Sequence, residues 1–182
     1  REDLAGLTRQ EIGADAAVRR RLVQELFGPL GPEVLQRNLL FGWLTRFTPD
    51  AVIDCVNTAT ALAYQDVFAS AARLLASAAE GTVSSEQVER HLLTLELPQL
   101  IRHVQIVLEG LRRAGTQAYL KVGTSGTGGM GLNIPYTHSE ERPSRTLLAK
   151  SAVAGAQSLF LFLMARTPGA PGLIEIKPVD GS

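Results

Sequence analysis

Apolar side chains recur with a helical period through the first half of the chain. Val18, Leu22, Val23, Leu26 and Phe27 make one stripe, stopped at Gly28-Pro29. Val34, Leu35, Leu39, Leu40, Trp43, Leu44 and Phe47 make the next and predict one helix ended by Thr48-Pro49. Residues 51–56, Ala-Val-Ile-Asp-Cys-Val, are a compact β-branched segment introduced by Pro49-Asp50 and read as a buried strand. An alanine-rich helix over 66–80 stops at Gly81, and a helix over 85–97 carries Val88, Leu92, Leu93 and Leu95. Pro98 suits a helix start; Leu100, Val104, Val107, Leu108 and Leu111 give that helix an apolar face up to Gly115. Residues 118–122 form a second strand, 144–165 a long helix, and 173–177 a third strand closed by Pro178.

Strands separated by long helices need crossover connections, not hairpins, so the sheet is expected to be parallel with right-handed crossovers. The expected fold class is α/β and Rossmann-like: a mostly parallel sheet with helices on both faces, in a single domain over residues 1–182. The chain opens on Arg1, not Met, which fits an incomplete excerpt of a longer NAD(P)-binding domain or a product whose start is missing.

Composition narrows the partners. A chain of 182 residues, 45% hydrophobic, is long enough for one well-buried domain. Lys plus Arg and Asp plus Glu are both 18, which leaves no net charge to attract nucleic acid or an anionic membrane. The clusters Arg19-Arg20-Arg21 and Arg112-Arg113 read as solvated helix faces. Cys55 is the single cysteine, so no internal disulfide can form and a reducing, cytoplasmic compartment is favoured. The longest apolar run, 159–165, is shorter than the about 20 residues a bilayer span needs. It reads as a core or subunit-interface helix, and Leu159, Phe160, Phe162 and Leu163 predict a homodimer.

The densest chemical signal is residues 121–131, Lys-Val-Gly-Thr-Ser-Gly-Thr-Gly-Gly-Met-Gly. Gly126, Gly128 and Gly131 have the G-x-G-x-x-G spacing of a phosphate-cradling loop. That fingerprint also needs a helix opening at its third glycine and an acidic residue about 20 positions on. Here Leu132-Asn133-Ile134-Pro135 follows, and no such acidic residue stands at that distance. Three readings stay open: a direct phosphate loop, a structural glycine loop, and the preferred one, a substrate-side or nicotinamide-side active-site loop. His91, His103 and His138 lack Cys or carboxylate partners at ligand spacing, so no metal is expected. Asp54 reads as a buried hydrogen-bonding carboxylate in preference to a base. Ser125 stands in Thr-Ser-Gly and does not meet the G-x-S-x-G elbow.

Three spaced segments now line up. They are Pro49-Asp50-Ala51-Val52-Ile53-Asp54-Cys55-Val56-Asn57-Thr58-Ala59; residues 98–115, ending Arg112-Arg113-Ala114-Gly115, with strand 118–122; and Gly172-Leu173-Ile174-Glu175-Ile176-Lys177-Pro178. In that order they resemble the fourth strand, the fifth helix and strand, and the sixth strand of the extended short-chain dehydrogenase/reductases, which include nucleotide-sugar epimerases. The resemblance covers residues 49–178. It implies an NAD(P)-dependent oxidoreductase or epimerase-like protein, with NAD or NADP as cofactor in the complete protein and a small polar or sugar-like substrate. Its catalytic set would be Thr124, Ser125, Tyr136 and Lys150; its cofactor-binding set would be Asn57, Thr58, Ala59, Gly123 and Lys150. The implied pocket is lined by residues 123–131 with Asn57, Thr58 and Lys150.

Two features depart from the family. Thr146 stands where the Tyr of Tyr-x-x-x-Lys belongs, and no G-x-x-G-x-x-G precedes residue 49. A phenol whose pKa is lowered from about 10 by a nearby ammonium can exchange a proton as hydride moves; a threonine hydroxyl is far less acidic. Tyr136 or His138 is the substitute acid/base within the loop. The alternative function is a non-catalytic ligand- or partner-binding module on the same scaffold. Without the pyrophosphate-binding turn, these 182 residues are expected to bind NAD(P) weakly or not at all, whereas a full-length version is expected to bind it with at least micromolar affinity.

Overall fold

A computed structural model of the chain describes residues 9–56, 65–123 and 145–176. Four helices come first: α1 (Arg9–Ala14), α2 (Ala16–Phe27), α3 (Pro32–Gln36) and α4 (Leu39–Phe47). Strand β1 (Ala51–Asp54) follows. Helices α5 (Val67–Ala79), α6 (Ser85–Leu92) and α7 (Glu96–Ala114) precede β2 (Ala118–Val122). Helix α8 (Arg145–Ala165) and β3 (Gly172–Ile176) complete the described chain.

The stripe over residues 34–47 forms two helices, not one. Asn38 takes an extended conformation and its side chain accepts from the Phe41 amide at 3.1 Å, which caps α4 and breaks the turn between the two. Splitting the stripe turns its members to different sides: Leu35, Phe41 and Leu44 are buried, whereas Leu39, Trp43 and Phe47 are exposed. The helix expected over 85–97 also ends early, at Leu92. Its freed carbonyls are taken by side chains: the Thr94 hydroxyl donates to His91 O, and the Gln99 amide donates to Leu93 O and Leu95 O. Pro98 then falls in the first turn of α7, where a missing N–H leaves nothing unpaired. Gly115 closes α7 with φ of 70°, a left-handed conformation that disfavours any side chain.

The sheet has the order β1-β2-β3, and both pairings are parallel. Val52, Tyr119 and Leu173 stand side by side in one row, and Asp54, Lys121 and Glu175 in the next. These two rows share a face. Tyr119 joins Leu44, Val107, Leu111, Leu161 and Met164 in the main core, so α7 and α8 lie against this face with α4 packed on α7. Gly110 permits that last contact: a Cβ there would come within 2.7 Å of Leu44 Cδ1.

Helices on both faces were expected, but among the described residues they cover one. The order β1-β2-β3 explains this: successive strands step in a single direction, and connections of one hand then fall on one side. No described element covers the other face, where Ile53 is 68% exposed and Ile174 59%. The expectation of a buried strand at 51–56 is corrected for the same reason. β1 is an edge strand of the described sheet, with its residues alternating between exposed and half-buried.

The basic cluster at 19–21 is not a uniformly solvated face either. Arg19 is buried, donating to Glu89 Oε2 and to Gly13 O, each at 2.8 Å, and so ties α2 to α6. Arg20 remains exposed. No described helix is long and apolar enough to cross a membrane.

Candidate functional site

The carboxyl ends of three parallel strands form one edge of the sheet, the place where ligands bind in open α/β folds. Asp54, Lys121 and Glu175 make the charged row just beneath that edge. Lys121 is buried, a costly position for an ammonium unless it is paired and hydrogen-bonded. Both conditions are met: its Nζ lies 3.1 Å from Asp54 Oδ2 and donates to Val56 O at 2.5 Å. The Tyr119 hydroxyl donates to the same Asp54 oxygen at 2.5 Å, while Asp54 Oδ1 accepts from the Val56 amide at 2.8 Å. Both oxygens of Asp54 are therefore engaged, and the backbone leaving β1 is clamped from above and below. On the other side of the row, the Ser158 hydroxyl donates to Glu175 Oε1 at 3.0 Å and joins α8 to β3.

These contacts set the protonation states. Burial pushes the Asp54 carboxyl up, but the Tyr119 hydroxyl, the Val56 amide and the Lys121 ammonium together outweigh it, leaving the pKa below its ordinary value. Burial also pushes the Tyr119 phenol up, reinforced by its hydrogen bond to Asp54 and by the charges of Asp54 and Glu175, so it stays a donor. On α7, His103 is lowered by burial first; Asp54 opposes that effect and Lys121 adds to it. Burial thus favours the neutral form of this imidazole, within electrostatic reach of the ion pair. Among the described residues, no group of three or more His, Cys, Asp or Glu side chains is placed to hold a metal.

The sequence-derived site meets this geometry in part. Gly123 directly follows β2, and its amide donates to Ile176 O at 2.9 Å, extending the β2–β3 ladder to the edge. No described residue lies within 4 Å of where its Cβ would be, so among the described residues the backbone there is open to a ligand. Lys150 belongs to the second turn of α8. Asn57, Thr58, Ala59, Thr124, Ser125 and Tyr136 lie outside the described residues, as does the remainder of the 124–131 loop. Asp54 is a hydrogen-bonding carboxylate, as its strand position indicated, but partly rather than fully buried. Tyr119 and Lys121 were missed as site residues; the available signal was their alternation on β2, which puts both on the Asp54 face once the strands pair in parallel register. A cavity of about 570 Å³ lies elsewhere, between α2 and the α3–α4 junction.

Comparison of the chain with protein-family models, curated proteins and solved structures gives no match. The functional reading therefore rests on strand order and on the residues at the sheet edge.

Proposed function

We propose that this chain belongs to an NAD(P)-dependent oxidoreductase or epimerase-like protein of the short-chain dehydrogenase type, acting on a small polar or sugar-like substrate. One observation carries the reading. The segments that resemble the family's fourth, fifth and sixth strands are adjacent, parallel and in chain order, as those strands are in a doubly wound Rossmann-like sheet. NAD or NADP, when bound, would exchange hydride with the substrate. Asn57, Thr58, Ala59 and Gly123 would flank the cofactor and Lys150 would hold its ribose. Thr124 or Ser125 would donate to the reacting oxygen, with Tyr136 or His138 moving the proton. The Asp54–Lys121–Tyr119 cluster would be a positioning device that fixes the backbone running into Asn57. The open position over Gly123 suits such an approach.

A second reading, a non-catalytic ligand- or partner-binding module, draws support from Thr146. It stands where the family's proton-transferring Tyr belongs, and a threonine hydroxyl is far too weak an acid for that step. Absorbance of the reduced nicotinamide, followed with small ketones, hydroxy compounds and nucleotide sugars, separates the two. Consumption that Lys150→Met reduces at least tenfold in kcat supports the enzyme, roughly the contribution of one positioned group. Cofactor binding without consumption selects the module, and absence of both in the full-length protein rejects this family reading.

The same proposal includes a homodimer through α8. Leu159, Phe162 and Leu163 are each about half exposed, and with Leu148 they make an apolar stripe on the side opposite Val153, Leu161 and Met164. Phe160, named with them from sequence, instead turns inward against the Leu100–Val153–Ala154 cluster.

A further inference from the structure

The cavity between α2 and α4 lies outside the segment that resembles the dehydrogenases. Arg21 enters it from α2, Arg37 and Asn38 from the α3–α4 junction, and Gly42, Trp43 and Arg46 from the outward face of α4. Its volume of about 570 Å³ falls within the ordinary range for small-molecule sites. Among the described residues, three arginines line it and no Asp or Glu does. Glu25 is the nearby acid: buried itself, it pairs with Arg37 at 3.2 Å and so holds that guanidinium in place. Arg46 makes no ion pair among the described residues; its guanidinium lies 5.3 Å over the Phe47 ring.

Charge alone would describe an anion site. Two further features specify more. Trp43 is about half exposed, although a tryptophan in a helix stripe would ordinarily be buried, and it offers an indole face to a flat ring. Gly42, one turn in from Asn38, has no described residue within 4 Å of the place where a Cβ would stand, so the helix surface beside the indole is open there. Planar guanidinium forks match phosphate oxygens, and aromatic faces stack on bases. The capped start of α4 at Asn38 adds the positive end of a helix dipole to the same wall.

We propose that this cavity binds a nucleoside phosphate, its phosphates held by Arg21, Arg37 and Arg46 and its base stacked on Trp43. The site is independent of the dehydrogenase reading and stands whether or not that reading does.

Trp43 is the chain's single tryptophan, so its fluorescence reports on this cavity directly. Titration with ADP is expected to quench it saturably, with affinity falling as salt is raised. Adenosine and pyrophosphate should each bind about tenfold or more weakly than ADP, since each lacks one of the two recognised parts. Arg46→Gln should weaken ADP by about tenfold, the loss of one charge-assisted contact. Gly42→Leu should abolish quenching while keeping the fold, because leucine fills the open wall and favours the helix; unchanged circular dichroism and melting at or above the parent's confirm that it is folded. No saturable quenching by ADP would overturn the proposal. So would quenching that Arg46→Gln and Gly42→Leu leave intact, or pyrophosphate binding as tightly as ADP.

Discussion

Lys121 and Asp54 face each other across the β1–β2 register, Nζ to Oδ2 at 3.1 Å, on the covered side of the sheet. Their pairing is what lets a lysine sit fully buried one residue before the end of β2. Removing one partner leaves the other charge stranded, which costs about 3–5 kcal/mol in buried pairs, whereas replacing both with apolar residues is often close to neutral. Lys121→Met should therefore lower stability by about 3 kcal/mol, and the double variant Asp54→Leu/Lys121→Met should recover part of that loss. Urea unfolding of both checks it.

The same carboxyl gives the fold an acid limb. With its folded pKa lowered, Asp54 contributes stability that is present above the ordinary carboxylate value of about 3.9 and is lost as pH falls through the lower folded value. Asp54→Asn should flatten this limb of a pH–stability profile, measured by denaturant midpoint at each pH.

His103 acts in a separate window. Its folded pKa lies below the ordinary 6.5, so the unfolded chain binds the proton more readily and stability falls as pH drops below 6.5 through the folded value. His103→Gln should remove that slope while leaving the more acidic limb in place. The two profiles, compared by thermal melting, distinguish the groups.

Two glycines should respond in opposite directions. Gly110 faces Leu44 with no room for a Cβ, whereas Gly155, on the exposed side of α8, has no described residue within 4 Å. Gly110→Ala should cost about 1–3 kcal/mol through overpacking. Gly155→Ala should stabilise by up to about 1 kcal/mol through helix propensity. Calorimetric melting of the two variants gives the sign of each.

If α8 forms the subunit contact, Leu159→Glu with Phe162→Glu should produce a folded monomer where the parent sediments as a dimer at micromolar concentration. Both side chains are already half exposed, so the substitutions leave the core intact. A parent that sediments as a monomer at that concentration would reject the contact.

The helical stripe from Leu100 to Leu111 was legible because its period matched the face it buries, and the three strands were legible as short, mainly apolar segments next to glycine or proline. The break at Asn38 was not, since its capping bond competes with a hydrophobic stripe that continues straight through it. Nor was the one-sided sheet, which depends on strand order. Arg19 and Lys121 escaped notice for a common reason: each is buried because a carboxylate distant in sequence, Glu89 or Asp54, meets it in space. Of the candidate site, Gly123 and the role of Asp54 could be read from local pattern; the clamp that joins them to Tyr119 required the parallel register.

The proposed function places NAD(P), when bound, at the carboxyl edge of the sheet. Amide NMR shifts of the isotope-labelled chain, titrated with NAD and with NADP to about millimolar concentration, test it most directly. The predicted result is shifts at Asp54, Cys55, Val56 and Gly123 that persist in the Gly42→Leu variant. Shifts confined to the cavity around Trp43, or lost in that variant, would contradict the claim and leave the nucleotide site between α2 and α4 as the place where the dinucleotide binds.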